Sequence, residues 1–249
     1  MPTATDQPKL VLHQLPPSHP CATVRAALRL KGLEAEVVDL DMAGHNAAVE
    51  EVYGEGRRTV PGLLVDDRPV HGTVAILRRL EELRPDVAPL YPDPIADRVR
   101  EVEDWADGHL QDLGRRLPWG ALHFRPERLS ALAGGAPLDP AGTDYAMRFV
   151  RAAWKYHGLS AARLAEDLAG LPAVLARIGE LVDEGVLAGE APTAADLHVG
   201  ATLRVIAVVG DVRPLVESSR GWSIVERFFR PAPVAIPAGA YPEGWTPAP

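Results

Sequence analysis

The sequence predicts an α/β unit followed by an all-helical unit. Three observations carry this. Up to about residue 86, short apolar segments alternate with helical patterns in the order β-α-β-α-β-β-α. A stretch with prolines at 85, 89, 92 and 94 then interrupts the chain. Beyond it, every patterned segment has helical spacing. The expected layout is a first domain over 1–86, a linker over 87–94, a helical domain over 95–230 and a Pro-rich tail over 231–249.

Taken in order, Lys9–Gln14 reads as the first strand and Leu15–Pro20 as a proline loop. Cys21–Lys31 has helical spacing, with Gly32 as its stop signal. Glu34–Leu40 reads as a second strand and Asn46–Tyr53 as a weaker helix, ended by Gly54-Glu55-Gly56. The stretch Arg57–Leu80 then holds a compact unit: Thr59-Val60-Pro61-Gly62, a strand, a turn at Asp66-Asp67, a second strand at Arg68–Val70, and a helix over Thr73–Leu83. Pro61 has two readings. It begins a strand, where a missing N–H is harmless, or it sits in a cis peptide that turns the Val60 backbone outward, toward an added peptide strand.

After the linker, Ile95–Arg116 reads as a long charged helix and Leu117–Asp139 as an irregular Pro/Gly-rich loop. Thr143–His157 and Ser160–Gly185 are helical, the second broken or offset at Gly170-Leu171-Pro172. Thr193–Val209 is apolar nearly all round, the pattern of a buried helix. Val212–Phe229 is the last helix, with a split expected near Gly221, and the tail shows no packing period.

Composition narrows the function. The chain has 249 residues with 47% hydrophobic and 24% charged, enough for a real core. A net charge of -8 with no basic stripe argues against a nucleic-acid partner. The single cysteine, Cys21, rules out an internal disulfide and a cysteine-based zinc site. The eight histidines form no metal-binding pattern, so no metal is expected. Gly54-Glu55-Gly56 lacks the third glycine of a dinucleotide fingerprint, so no nucleotide is expected. No apolar signal core or membrane-length run stands out, and a cytoplasmic protein is expected.

Ser18 is a natural N-cap, placed among free N–H donors and the positive end of a helix dipole, where an anion is stabilised. From this feature alone capping is the better reading. Cys21, one turn on, is either a reactive helix-N-terminal thiol or a small buried hydrophobe, and burial is favoured. Thr73, after Gly72, either holds a carboxylate or caps its helix. Thr193 and Asp196 fit a capping box with a structural role. Trp119, His123, Phe124 and Arg125 form an aromatic-basic patch that either lines an apolar substrate pocket or caps the core.

These residues together resemble the glutathione transferase superfamily, in a serine-type, bacterial-like form. Ser18-His19-Pro20-Cys21 with Val24, Arg25 and Leu28 is similar to its first-helix element, with the proline displaced by one place. Thr59–Leu63 resembles its cis-proline element, Thr73–Leu77 its Ser-x-Ala-Ile helix start, and Thr193–Leu197 its sixth-helix capping box. The resemblance implies a thioredoxin-like domain before a helical domain. It implies glutathione or another low-molecular-weight thiol as cosubstrate, an electrophilic, largely apolar second substrate, and a possible homodimer. It also implies roles. Ser18 would stabilise the thiolate, Val60 and Pro61 would present backbone to the thiol's peptide part, and Gly72-Thr73 would meet its γ-glutamyl end. Leu15, Trp119, His123 and Phe124 are candidates for the electrophile pocket. Cys21 is the alternative catalytic residue, in a thiol reductase; a non-catalytic binding protein of the same fold is the other alternative. No tyrosine lies near the first strand in sequence, which sets the tyrosine-type subclasses aside. Gly72 stands where the family usually has Glu or Gln. Loss of such a charge-assisted contact costs about 1.5–3 kcal/mol in ligand binding.

Overall fold

The structure, a computed structural model, describes residues 7–247. The chain divides into two compact units, the first ending at Asp104 and the second starting at Trp105.

The first unit is built on four strands, β1 (Leu10–Gln14), β2 (Glu36–Asp39), β3 (Gly62–Val65) and β4 (Arg68–His71), in the order β2-β1-β3-β4. β1 and β2 are parallel and are joined through helix α1 (His19–Leu30); the other two pairings are antiparallel. The β3–β4 turn is tight because Asp66 and Asp67 both take positive φ, 49° and 64°, which matches the twist of a two-residue hairpin. Period-two alternation sorts the sheet faces. Leu10, Leu12, Leu63 and Val65 share one face and are at most 3% exposed. Burying each such side chain contributes about 1.5–3 kcal/mol. Helix α3 (Thr73–Leu83) packs on β3, β4 and α1, and buries Ile76, Leu77 and Leu80. Helix α2 (His45–Tyr53) covers the other face, where the Tyr53 ring lies over Gly62. A Cβ at Gly62 would sit 2.2 Å from Tyr53 Cζ, so only glycine fits there.

Lys31 is fully buried, and its ammonium donates to Arg84 C=O (3.0 Å) and Val87 C=O (2.8 Å) and pairs with Glu81. Glu81 also accepts from Leu90 N–H, and Tyr91 donates to buried Glu103 at 2.8 Å. The proline-rich stretch is thus fastened within the first unit. Helix α4 (Ala96–Trp105) carries the chain to the end of that unit at Asp104.

A π-helical turn, Ala106–Leu110, opens the second unit and leads into α5 (Gln111–Phe124). This corrects the loop expected from Leu117. The helix continues through Pro118 because burial overrides the local breaker signal: Leu117, Pro118, Gly120, Ala121 and Leu122 are all buried. Tyr241 donates to Leu117 C=O and Trp154 Nε1 to Trp119 C=O, both at 2.8 Å. A 3₁₀ segment, Pro126–Ala133, follows. Next come α6 (Pro140–Tyr156), α7 (Ala161–Asp183, unbroken through Pro172) and α8 (Ala194–Ile206). The last two are α9 (Arg213–Glu217) and α10 (Trp222–Phe228), so the final helical stretch is split. Helix α8 is buried along nearly its whole length and packs against α5 and α10. The tail, which shows no packing period, docks on the second unit. Ala232, Ala235, Ile236, Ala240 and Tyr241 are buried, Ile236 bridges to Val209, and Asp211 accepts from the N–H groups of Gly239 and Ala240.

Candidate functional site

One end of the first unit's sheet gathers most of the candidate residues. The register row His13–Gly62–His71 marks this end. Ser18 lies just beyond β1, Val60-Pro61 just before β3, and Gly72-Thr73 just beyond β4.

Ser18 is the N-cap of α1, half-buried, with extended backbone (φ -69°, ψ 122°). Its Oγ accepts from Cys21 N–H at 3.4 Å, a long bond for this donor. The hydroxyl also faces the Cys21 thiol, to which it makes a side-chain hydrogen bond. The loop beneath is fixed by a polar chain. Gln14 donates to Asp39 at 2.7 Å, Arg25 donates to Gln14 Oε1 and reaches Pro16 C=O, and Ser18 N–H donates to Leu15 C=O at 3.0 Å.

Cys21 is fully buried with Val49, Tyr53 and Val60, and Leu15 packs against the same cluster. Burial pushes its thiol pKa up, against the smaller downward pull of the Ser18 hydroxyl. A buried thiol held protonated is a poor nucleophile. The alternative placing of catalysis at Cys21 therefore meets the wrong environment.

The Val60–Pro61 peptide is cis. Gly72 N–H donates to Pro61 C=O at 3.1 Å, and His71 Nε2 lies 2.7 Å from Thr59 C=O. Neither the N–H nor the C=O of Val60 is hydrogen-bonded among the described residues. Gly72 has φ +91°, a conformation that side chains disfavour, so glycine there is set by the backbone. Thr73 begins α3 and is buried, and the first turn of α3 carries no acidic residue. Its unpaired N–H groups and dipole are left free for an anion.

Three side chains at this sheet end escaped the sequence reading. The Tyr53 hydroxyl shares a 2.7 Å hydrogen bond with His13 Nδ1, and its ring packs 5.6 Å from that of His71. A tyrosine hydroxyl thus does reach the first strand, although none lies near it in sequence. Burial pushes the Tyr53 phenol pKa up and the half-buried His13 imidazole pKa down, the latter against a smaller upward pull from Glu36. Only their fold-dependent pairing brings them together, which no local pattern signals.

Trp119, His123 and Phe124 lie on α5 in the second unit. His123 stacks near Trp154 (ring centroids 4.1 Å) and meets Phe124 edge-on (5.2 Å), and Phe124 meets Trp245 (6.1 Å). Thr193 and Asp196 form the expected capping box: Asp196 Oδ2 accepts from Thr193 N–H at 2.9 Å, and Thr193 Oγ1 accepts from Asp196 N–H. Among the described residues there is no cluster of three or more metal-ligating side chains, and no helix is long and apolar enough to cross a membrane.

Residues 12–88 match the family model for the glutathione S-transferase N-terminal domain. The chain has the glutathione transferase superfamily fold. Among solved structures, the glutathione transferase GSTFuA3 from Phanerochaete chrysosporium is 17% identical, with a TM-score of 0.62 over 88% of this chain and 96% of its own. The β-etherase LigF from Sphingobium sp. strain SYK-6 is 22% identical, with a TM-score of 0.61 over 92% and 97%. FzlA from C. crescentus is 23% identical, with a TM-score of 0.57 over 96% and 96%. No curated protein sequence matches the chain. In this glutathione transferase fold, the first unit is the thioredoxin-like domain and the second the helical domain.

Proposed function

We propose that this protein is a glutathione-transferase-like enzyme. It binds glutathione or another low-molecular-weight thiol on its first unit, holds it as the thiolate at Ser18, and adds it to an electrophilic, largely apolar substrate. The observation that carries this reading is three sets of groups at one sheet end: the Ser18 hydroxyl, the Val60 N–H and C=O, which have no hydrogen bond among the described residues, and the open N-terminus of α3 at Gly72-Thr73. A peptide-like thiol has a complement for each. Its amides pair with Val60 as a short added strand, its carboxylate meets the first N–H groups of α3, and its sulfur meets Ser18.

Ser18 has the right spare capacity. Its oxygen accepts from Cys21 N–H, and its proton, which faces the weakly accepting Cys21 thiol in the free protein, turns to donate to the stronger acceptor, a sulfur anion. That donation stabilises the thiolate over the thiol and lowers the thiol pKa. The thiol proton leaves to solvent, the sulfur lone pair forms the new C–S bond, and the displaced electron pair goes to the electrophile's leaving group or conjugated acceptor.

Gly72 favours a second reading, a binding protein that kept the fold without turnover, because it supplies no side chain to a ligand's ammonium group. Calorimetric titration with glutathione and other small thiols, followed by turnover with a panel of electrophiles, separates the two. Binding in the micromolar to low-millimolar range, with turnover that depends on Ser18, supports the enzyme. Binding without turnover supports the second reading, and no binding of any thiol removes the enzyme reading and leaves a scaffold protein of this fold.

A further inference from the structure

We propose that His71 is a positioning residue for the thiol site: its imidazole sets the presentation of the Val60 backbone. This rests on the thiol-binding reading above. The stretch from Gly54 to Pro61 has no regular structure and is held by discrete bonds. Glu50 accepts from Gly56 N–H and pairs with Arg58, and Asn46 donates to Arg58 C=O at 2.7 Å. Nearer the site, two consecutive residues at the end of β4 take over. His71 reaches Thr59 C=O at 2.7 Å, and Gly72 N–H donates to Pro61 C=O at 3.1 Å. The carbonyls on both sides of Val60 are therefore pinned, while its own N–H and C=O are left open.

A carbonyl only accepts, so Nε2 of His71 carries the proton. The ring is braced from the side by Tyr53, 5.6 Å away, and Tyr53 is in turn fixed over Gly62 and by His13. The strand end, the helix α2 and the cis-peptide loop are thereby joined through one imidazole. His71 touches neither the sulfur nor the reacting carbon in this scheme. Its loss weakens capture of the thiol's peptide part and leaves activation at Ser18 intact, because Ser18 is anchored separately on α1.

The test uses the full chain as wild type, His71→Ala and His71→Gln, the glutamine amide being able to donate in place of Nε2. In the free proteins, the amide resonances of Thr59 and Val60 are compared. Shifted or broadened signals in His71→Ala, restored in His71→Gln, are expected; unchanged signals in His71→Ala overturn the assignment. In the second arm, thiol affinity and turnover are measured. Loss of one hydrogen bond predicts about a five- to tenfold weaker Kd and KM for the thiol in His71→Ala, partial rescue in His71→Gln, and kcat within about twofold of wild type. An unchanged KM, or a loss confined to kcat, overturns the positioning role. If the wild type binds no thiol, the function reading falls, and the resonance comparison still decides what His71 does to the loop.

Discussion

Replacing Ser18 with alanine separates its two roles, because the structure assigns them different sizes. As a cap, Ser18 accepts from Cys21 N–H at 3.4 Å, so the stability cost falls at the low end of N-cap effects, about 0.5 kcal/mol. As a donor to a bound thiolate it makes a hydrogen bond to a charged group, worth about 1.5–3 kcal/mol. At about 1.36 kcal/mol per unit, that lowers the thiol pKa by about one to two units from its free value of about 8.5. The thiolate fraction at pH 7 in Ser18→Ala then falls about eight- to twenty-five-fold. Above a pH of about 9 the thiol ionises unaided and the two proteins converge. The assay is turnover at saturating thiol and fixed electrophile across this pH range, with a thermal melt to show that the variant is folded. Ser18→Thr, which keeps a capping hydroxyl, retains most of the activity. A deficit that stays constant with pH, or no deficit, would refute thiolate stabilisation by Ser18.

Four further outcomes are expected. Cys21→Ser lowers stability by about 1–3 kcal/mol, because it buries a hydroxyl in an apolar cluster, and keeps turnover in the folded protein; abolished turnover would restore the reductase reading. Gly62→Ala drives the Tyr53 ring from its seat and costs about 1–3 kcal/mol by overpacking, read as a lowered Tm; an unchanged Tm contradicts the close approach. Asp196→Ala strips acceptors from Thr193 N–H and from Ala188 N–H (2.7 Å), so a loss of about 2–4 kcal/mol follows from two unsatisfied donors. His157 is held down to about 4 by burial and by the nearby Arg115, with Asp112 opposing. Its folded pKa lies below the unfolded one of about 6.5, so its share of stability is complete above about pH 6.5 and is lost as pH falls toward about 4. His157→Gln flattens the Tm-against-pH curve in this window; an unchanged slope places the acid sensitivity elsewhere.

Local chemistry sufficed for the elements whose reasons are local. Helix α3 spans the residues its pattern predicted, Thr73–Leu83. The Asp66-Asp67 turn, the Ser18 cap and the Thr193/Asp196 box all follow from residue types that satisfy backbone groups two or three positions away. The order of strands and helices in the first unit follows from hydrophobic periodicity, since each face must be covered.

What the sequence left open depends on contacts distant along the chain. Pro118 reads as a helix breaker, yet α5 passes through it, because its buried neighbours and the docked tail through Tyr241 outweigh a missing backbone bond. The tail has no period because it packs as an irregular strap, seated through the Val209–Ile236 bridge and Asp211. At the candidate site, Ser18, Val60 and Thr73 were legible as motif positions. The bracing of Val60 by His71, and of His71 by Tyr53, was not. His71 lies 12 positions from Thr59, whose carbonyl it meets, and 18 from Tyr53, and only β4 pairing beside β3, with α2 laid across the sheet, brings them within reach. The sequence by itself determined which groups cap and turn the chain. The tertiary structure decided which of them are left unsatisfied at one sheet end, because an unpaired donor or acceptor is defined only once every other partner has been placed.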